Sequence, residues 1–183
     1  MPTLSESSAS DLSPKFALLG VLFFQPMHGY ELHRYLEANL REVWRISQSQ
    51  VYATLKRLQK DGLISAETQP QVDRPDRACF SLTSRGRAQF EVWLNTPTPG
   101  SMRAMRVEFL TRLFFAGRMG LETCARLLQE QAGAIRADLE RMQARVEAIP
   151  PDQAFNHLGL ELRLNHLEST LEWLESCDPK RFL

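Results

Sequence analysis

The apolar positions fall into distinct rhythms along the chain, and each rhythm names an element. Residues 15–24 (KFALLGVLFF) are almost continuously apolar but far short of a membrane span, which predicts a buried helix ended at Pro26. Beyond Gly29, Leu32 and Leu36 stand four apart with Tyr35 beside them, predicting a second helix that runs to about Asn39. Val51, Leu55 and Leu58 then make one narrow stripe, so a third helix rests on a core by a single face. Its ends are marked. Ser47 and Gln50 have capping-box spacing, Gly62 supplies a left-handed stop, and Lys56, Arg57 and Lys60 gather toward the negative end of the helix dipole.

After Gly62 the period shortens to that of strands. Residues 63–68 (LISAET) and 78–83 (ACFSLT) are two strands, with Phe80 and Leu82 alternating inward. The segment between them, 69–77 (QPQVDRPDR), carries two prolines and two arginines and reads as an exposed hairpin loop. Thr83 is placed to cap a further helix from Ser84 to Leu94. Three helices followed by a hairpin that bears arginines are the outline of a winged helix-turn-helix, with 48–60 as the helix that enters a groove and 69–77 as the wing.

The block 95–101 (NTPTPGS) breaks structure, and the chain beyond it is helical almost to its end. Residues 102–116 are apolar on a broad face that includes Met105, Phe109 and Leu113. From 121 to 149, Leu128, Ala132, Ile135, Leu139, Met142 and Val146 alternate by four and three in a heptad seam. Pro150 and Pro151 stop that helix, and Leu160, Leu164, Leu167, Leu171 and Leu174 repeat the seam in a last one. The two seams either pack on each other as an antiparallel hairpin or meet a second chain. Because the first spans roughly 40 Å and has little else to cover it, a self-complementary dimer is economical, with Leu128, Ile135, Leu139, Leu160, Leu164, Leu167, Leu171 and Leu174 as its interface.

The expected architecture is thus mainly α. A disordered leader at 1–13 precedes an N-terminal winged-helix domain at 14–95, a linker at 96–101 and a C-terminal helical dimerisation domain at 102–183. The Ser-rich leader has neither a basic start nor an apolar segment, so it is no signal peptide, and no apolar run is long enough to cross a bilayer. Cys79, Cys124 and Cys177 are odd in number and widely spaced, which suits a reducing cytoplasm better than a disulfide or metal framework. Net charge is zero overall, but residues 13–95 hold 11 Lys and Arg against 8 Asp and Glu, while 96–183 hold 11 against 12. The winged-helix part is mildly basic, a weak version of the charge that nucleic acid attracts.

Candidate chemistry follows from the outer face of the third helix. Gln48, Ser49, Gln50 and Thr54 are side-chain types that reach base edges, Ser47 at the helix start joins the DNA-binding set, and Tyr52, Lys56, Arg57 and the wing residues Arg74 and Arg77 suit phosphates or the minor groove. No nucleophile with a base, no paired carboxylates, no phosphate-cradling glycine loop and no ligand cluster stand out, so neither an enzyme nor a resident cofactor or metal is expected. Trp44, Trp93, Arg106 and Phe109, with Phe114 and Phe115, either line a cavity between the two domains suited to an aromatic acid or belong to the core.

Three blocks resemble the PadR family of transcriptional regulators: 26–32 (PMHGYEL), 47–64 with its Tyr52, Leu55, Leu58 and Gly62 pattern, and 77–86 (RACFSLTSRG). The chain departs from the family pattern at Ser49, Ala53 and 79–81. From about Met102 the likeness is to the C-terminal helical domain of the long subgroup, through which members dimerise. The resemblance implies a homodimeric regulator of double-stranded DNA, a repressor by preference, that reads a palindromic operator and responds to a small aromatic or hydrophobic effector. The alternative is a winged-helix adaptor that binds proteins and no specific DNA.

Overall fold

The computed structural model describes residues 13–69, 77–150 and 152–183. The disordered leader expected at 1–13 lies, apart from Ser13, outside the described residues, as does the wing tip with Arg74. The chain divides into two compact units, Met1–Leu94 and Asn95–Leu183.

In the first unit, α1 (Lys15–Phe24) is the buried helix its composition predicts, and α2 (Gly29–Leu40) rests on the core through Leu32, Leu36 and Leu40. α3 (Gln48–Lys60) buries Val51, Thr54, Leu55 and Leu58. Both ends of α3 are closed by local sequence. Ser47 N–H donates to Gln50 Oε1 at 2.9 Å while Gln50 N–H donates to Ser47 Oγ at 3.3 Å. At the other end Gly62 sits at φ +68°, its N–H donates to the Gln59 carbonyl and Leu63 N–H reaches the Leu58 carbonyl, the double bond of a Schellman stop.

The hairpin strands are β2 (Ile64–Gln69) and β3 (Arg77–Leu82), antiparallel with Ile64 opposite Leu82 and Ala66 opposite Phe80. A third strand, β1 (Met27–His28), pairs with the far edge of β3 through Met27 and Phe80, giving the order β1-β3-β2. Its two residues lie between Pro26 and the second helix, where the sequence pattern names no element. Two residues carry no period, and β1 exists because β3 offers it an edge. Thr83 bonds the Gly62 and Leu63 carbonyls with its hydroxyl and accepts from Gly86 N–H, so one side chain caps α4 (Ser84–Leu94) and ties it to the end of α3. A β-carbon at Gly86 would overlap the Leu63 carbonyl oxygen, which reserves that position for glycine. In the core, Trp93 stacks on Phe16 with ring centroids 4.7 Å apart.

The second unit starts from a helix that runs from α5 (Met102–Ala104) through a π turn (Met105–Phe109) into α6 (Leu110–Met119). Gly120, at φ +118°, separates it from α7 (Leu121–Glu147), and α8 (Ala154–Ser176) folds back along α7 before a closing 3₁₀ turn at Pro179–Phe182. The heptad seams meet within the chain. Leu128, Ile135, Leu139, Leu167 and Leu174 are buried in one cluster, with Leu160, Leu164 and Leu171 packed against it. Within the chain α7 and α8 thus cover each other's stripes, the antiparallel-hairpin alternative of the sequence reading, with five of the eight residues named for the interface buried between them and Leu160, Leu164 and Leu171 partly buried.

The segment expected to be a linker is fastened to this unit. Thr98, 2% exposed, donates its N–H to Gln131 Oε1 at 2.7 Å, and its carbonyl accepts from Gln131 Nε2 at 2.8 Å. Arg112, buried on α6, donates to Thr98 Oγ1 and to Glu108 Oε1, each at 2.7 Å, and to the Thr96 carbonyl. Burial lowers its pKa to about 10 against the opposing pull of Glu108.

Candidate nucleic-acid interface

The exposed surface of α3 follows from its narrow apolar stripe. Gln48, Ser49, Gln50, Tyr52, Lys56 and Arg57 all face solvent, with Ser47 at the N-cap and Lys60 in the last turn. They share one helix and its start, so the sequence reading brings these side chains together. Thr54 is the exception. It is 5% exposed and its hydroxyl donates to the Gln50 carbonyl at 2.8 Å, so it lies on the core side of α3 and is withdrawn from the base-reading set. A threonine is tolerated there because its hydroxyl finds a partner one turn back.

Two of the remaining polar groups are already engaged. Gln50 Oε1 accepts from both Ser47 N–H and Ser47 Oγ, and Ser47 Oγ lies 2.9 Å from Ser49 Oγ. The start of α3 is therefore a preorganised polar knot, and the amide nitrogen of Gln50 is the part of that side chain left for a ligand. Arg57 and Lys60 add positive charge in the last turn.

The surroundings of α3 hold it in place by contacts that carry no periodic signal. His33, on α2, bonds the Ile46 carbonyl at 3.0 Å through Nε2 and so anchors the segment leading into α3. His28 bonds the Ala78 carbonyl at 3.1 Å through Nδ1, and its N–H donates to Glu31 at 3.2 Å, linking β3 to the start of α2. A carbonyl only accepts, so the proton sits on Nδ1 of His28 and on Nε2 of His33. Tyr30, half exposed, stands with Arg34 5.9 Å from its ring centroid beside the exposed Tyr52, extending the polar surface onto α2. Neither His33 nor Arg34 is singled out by the pattern of the sequence, and it is the contact with the distant Ile46 carbonyl that gives His33 its role. Arg77 lies in β3, on the strand leading out of the wing.

The residues named for an effector fall into the two units. In the first, Trp44 is half buried and Trp93 is a packed core ring on Phe16. In the second, Phe109 is fully buried, edge-on to Trp173 at 6.0 Å, while Arg106 lines a cavity of about 320 Å³ with Met102, Leu110 and Trp173. Trp93 and Phe109 are thus core residues, as the blander of the two sequence readings has it, because each has an aromatic neighbour that fills the space a ligand would need.

Among the described residues no group of three or more His, Cys, Asp or Glu is placed to hold a metal, and no helix is long and apolar enough to cross a membrane. All three cysteines are free thiols, and burial pushes the pKa of Cys124 and Cys177 up, which makes them poor nucleophiles.

Two family models match the chain. One, described as the transcriptional regulator PadR-like family, covers residues 18–92, and the other, virulence activator alpha C-term, covers 105–180. The negative transcriptional regulator PadR of Bacillus subtilis is 27% identical over 175 residues, which is 88% of this chain and 93% of that protein. A probable transcriptional regulator of Mycobacterium tuberculosis is 27% identical over 174 residues, 87% of this chain and 92% of the relative. Among solved structures, Bacillus subtilis PadR in complex with operator DNA is similar with a TM-score of 0.45 and 27% identity, over 88% of this chain and 95% of that one. The same protein in complex with p-coumaric acid gives 0.42 and 25%, over 90% and 95%.

Proposed function

The chain belongs to the PadR-like family of transcriptional regulators, and from this we propose that it is a homodimeric repressor that binds a specific operator in double-stranded DNA. The observation that carries the reading is α3: capped at both ends, buried on one face, and presenting Gln48, Ser49, Tyr52, Lys56 and Arg57 on the other. A helix so exposed in a winged helix enters the major groove by its N-terminal half. Gln48, Ser49 and the free amide nitrogen of Gln50 then face base edges, and Lys56 and Arg57 hold phosphates.

The dimer forms on the second unit. With its leucine seam turned inward, α8 still exposes Phe155 (89%), Leu158 (60%) and Leu162 (71%), which recur by three and four on the opposite side of the helix. A second stripe of large apolar side chains on an already packed helix is what an isologous contact buries. Two-fold symmetry sets the half-sites of the operator about one helical turn apart or a multiple of it. A small effector of aromatic or hydrophobic character controls the DNA-bound state.

Fluorescence anisotropy of labelled genomic fragments, repeated at two salt concentrations, tests the reading. Specific, steeply salt-dependent binding to a palindrome supports it. Binding without salt dependence or sequence preference favours the protein-only adaptor.

A further inference from the structure

The start of α3 carries a chain of hydrogen bonds whose direction is fixed at every link. Ser47 N–H meets the side-chain amide of Gln50 at 2.9 Å. A backbone N–H only donates, so the amide atom it meets is the oxygen, Oε1. The Ser47 hydroxyl lies 3.1 Å from the same Oε1 and donates to it, because an amide oxygen only accepts. That uses the one proton on Ser47 Oγ. Ser49 Oγ, 2.9 Å away, is therefore the donor in its contact with Ser47 Oγ, which also accepts from Gln50 N–H at 3.3 Å.

What is left for a base follows from these directions. Gln50 Oε1 has accepted twice and is full, while Nε2 keeps two N–H groups with no acceptor among the described residues. The side chain is exposed in the first turn of α3. An unrestrained glutamine pairs with adenine because its oxygen takes an N6 proton while its nitrogen donates to N7. Held by Ser47, Gln50 has no oxygen to offer, and the N6 group of adenine would face donors and lose its partner. Guanine fits instead, since its major-groove edge presents two acceptors, N7 and O6, side by side and no donor; thymine offers one acceptor, and cytosine a donor. We propose that Ser47 is a positioning residue that converts Gln50 from an adenine reader into a donor-only reader of guanine, so that each half-site of the operator carries a guanine against Gln50. This rests on the reading of α3 as the helix that enters the major groove, and it names the base that the first turn of that helix selects.

Selection of bound duplexes from a random library by the full chain, followed by sequencing, tests it on the parent, Q50A, S47A and S47T. Q50A marks the operator position that Gln50 reads, as the one where base preference collapses. At that position the parent is expected to favour guanine over adenine about tenfold or more. In S47A the hydroxyl's bond to Oε1 is gone, the amide turns outward to present oxygen and nitrogen together, and adenine rises to parity with guanine or above it. S47T keeps the hydroxyl and so restores the guanine preference that S47A loses. Loss of a helix cap alone lowers affinity for all sequences equally and leaves the ratio of guanine to adenine where it was, so the ratio separates positioning from stability. Adenine favoured by the parent at the position sensitive to Q50A, an unchanged ratio in S47A, or no position sensitive to Q50A overturns the proposal and leaves the operator reading standing. A library from which the parent enriches no sequence overturns the operator reading and this proposal with it.

Discussion

The ring of Tyr52 lies against the backbone of Gly29: a β-carbon at position 29 would stand 2.7 Å from Tyr52 Cε1 and 2.9 Å from Cζ. The glycine of the PMHGYEL block is thus there to let a residue of α3 close onto the first turn of α2. Alanine at a helix position gains as much as about 1 kcal/mol over glycine, roughly offsetting what displacing an exposed ring costs. G29A therefore leaves the melting temperature near the parental value and weakens operator binding about tenfold by pushing Tyr52 off the DNA-facing surface. Y52A weakens it to a similar degree, and the double variant is no worse than Y52A alone, which anisotropy titrations in a double-mutant cycle measure.

The capping box separates stability from recognition at one residue. Replacing Ser47 by Ala costs about 1 kcal/mol, read from denaturant midpoints. Q50E keeps the cap, because a carboxylate accepts the same backbone N–H and sits well at a helix N-terminus. The variant therefore melts with the parent but selects different operator sequences, since the amide N–H that faces the groove is gone.

Two leucines on α8 behave oppositely. Leu158 is 60% exposed on the outward stripe, and Leu164 is packed against the core of the hairpin. L158D gives folded monomers in sedimentation velocity, whereas L164A keeps the dimer but lowers stability by about 2 kcal/mol or more.

Arg112 holds Thr96, Thr98 and Glu108 at once, so R112A leaves several buried acceptors unpaired and costs about 3 kcal/mol in chemical denaturation. Its folded pKa is lowered to about 10, still well above neutrality. The guanidinium is charged in the folded and unfolded states alike below that value, so the loss is the same from pH 5 to 8. Only above about pH 10, where the buried group sheds its proton before the unfolded one does, does the parent gain stability from it.

The parts of this fold that were legible in the sequence are those that sequence neighbours enforce. Ser47, Gln50 and Gly62 bracket α3 within one chain segment, and the hairpin strands follow from alternation around Phe80 and Leu82. The parts that were not depend on distant partners. β1 is two residues paired to β3, and Thr98 is held by Gln131 and Arg112 from two helices. On α8 the seam was visible but its partner was not: leucines occupy both sides of that helix, and periodicity does not say which side meets α7. The same limit applies to the interface. Helix position predicted most of the exposed set on α3, while Tyr30, Arg34 and His33 come from a neighbouring helix with no periodic mark.

The measurement that bears most directly on the central claim is the salt dependence of operator binding by the parent and by R57A. The account predicts that the parent's log affinity falls linearly and steeply with log salt concentration, and that R57A lowers affinity for all sequences alike with a slope shallower by about one. Equal affinity and equal slope for the two proteins would contradict the placement of α3 on DNA.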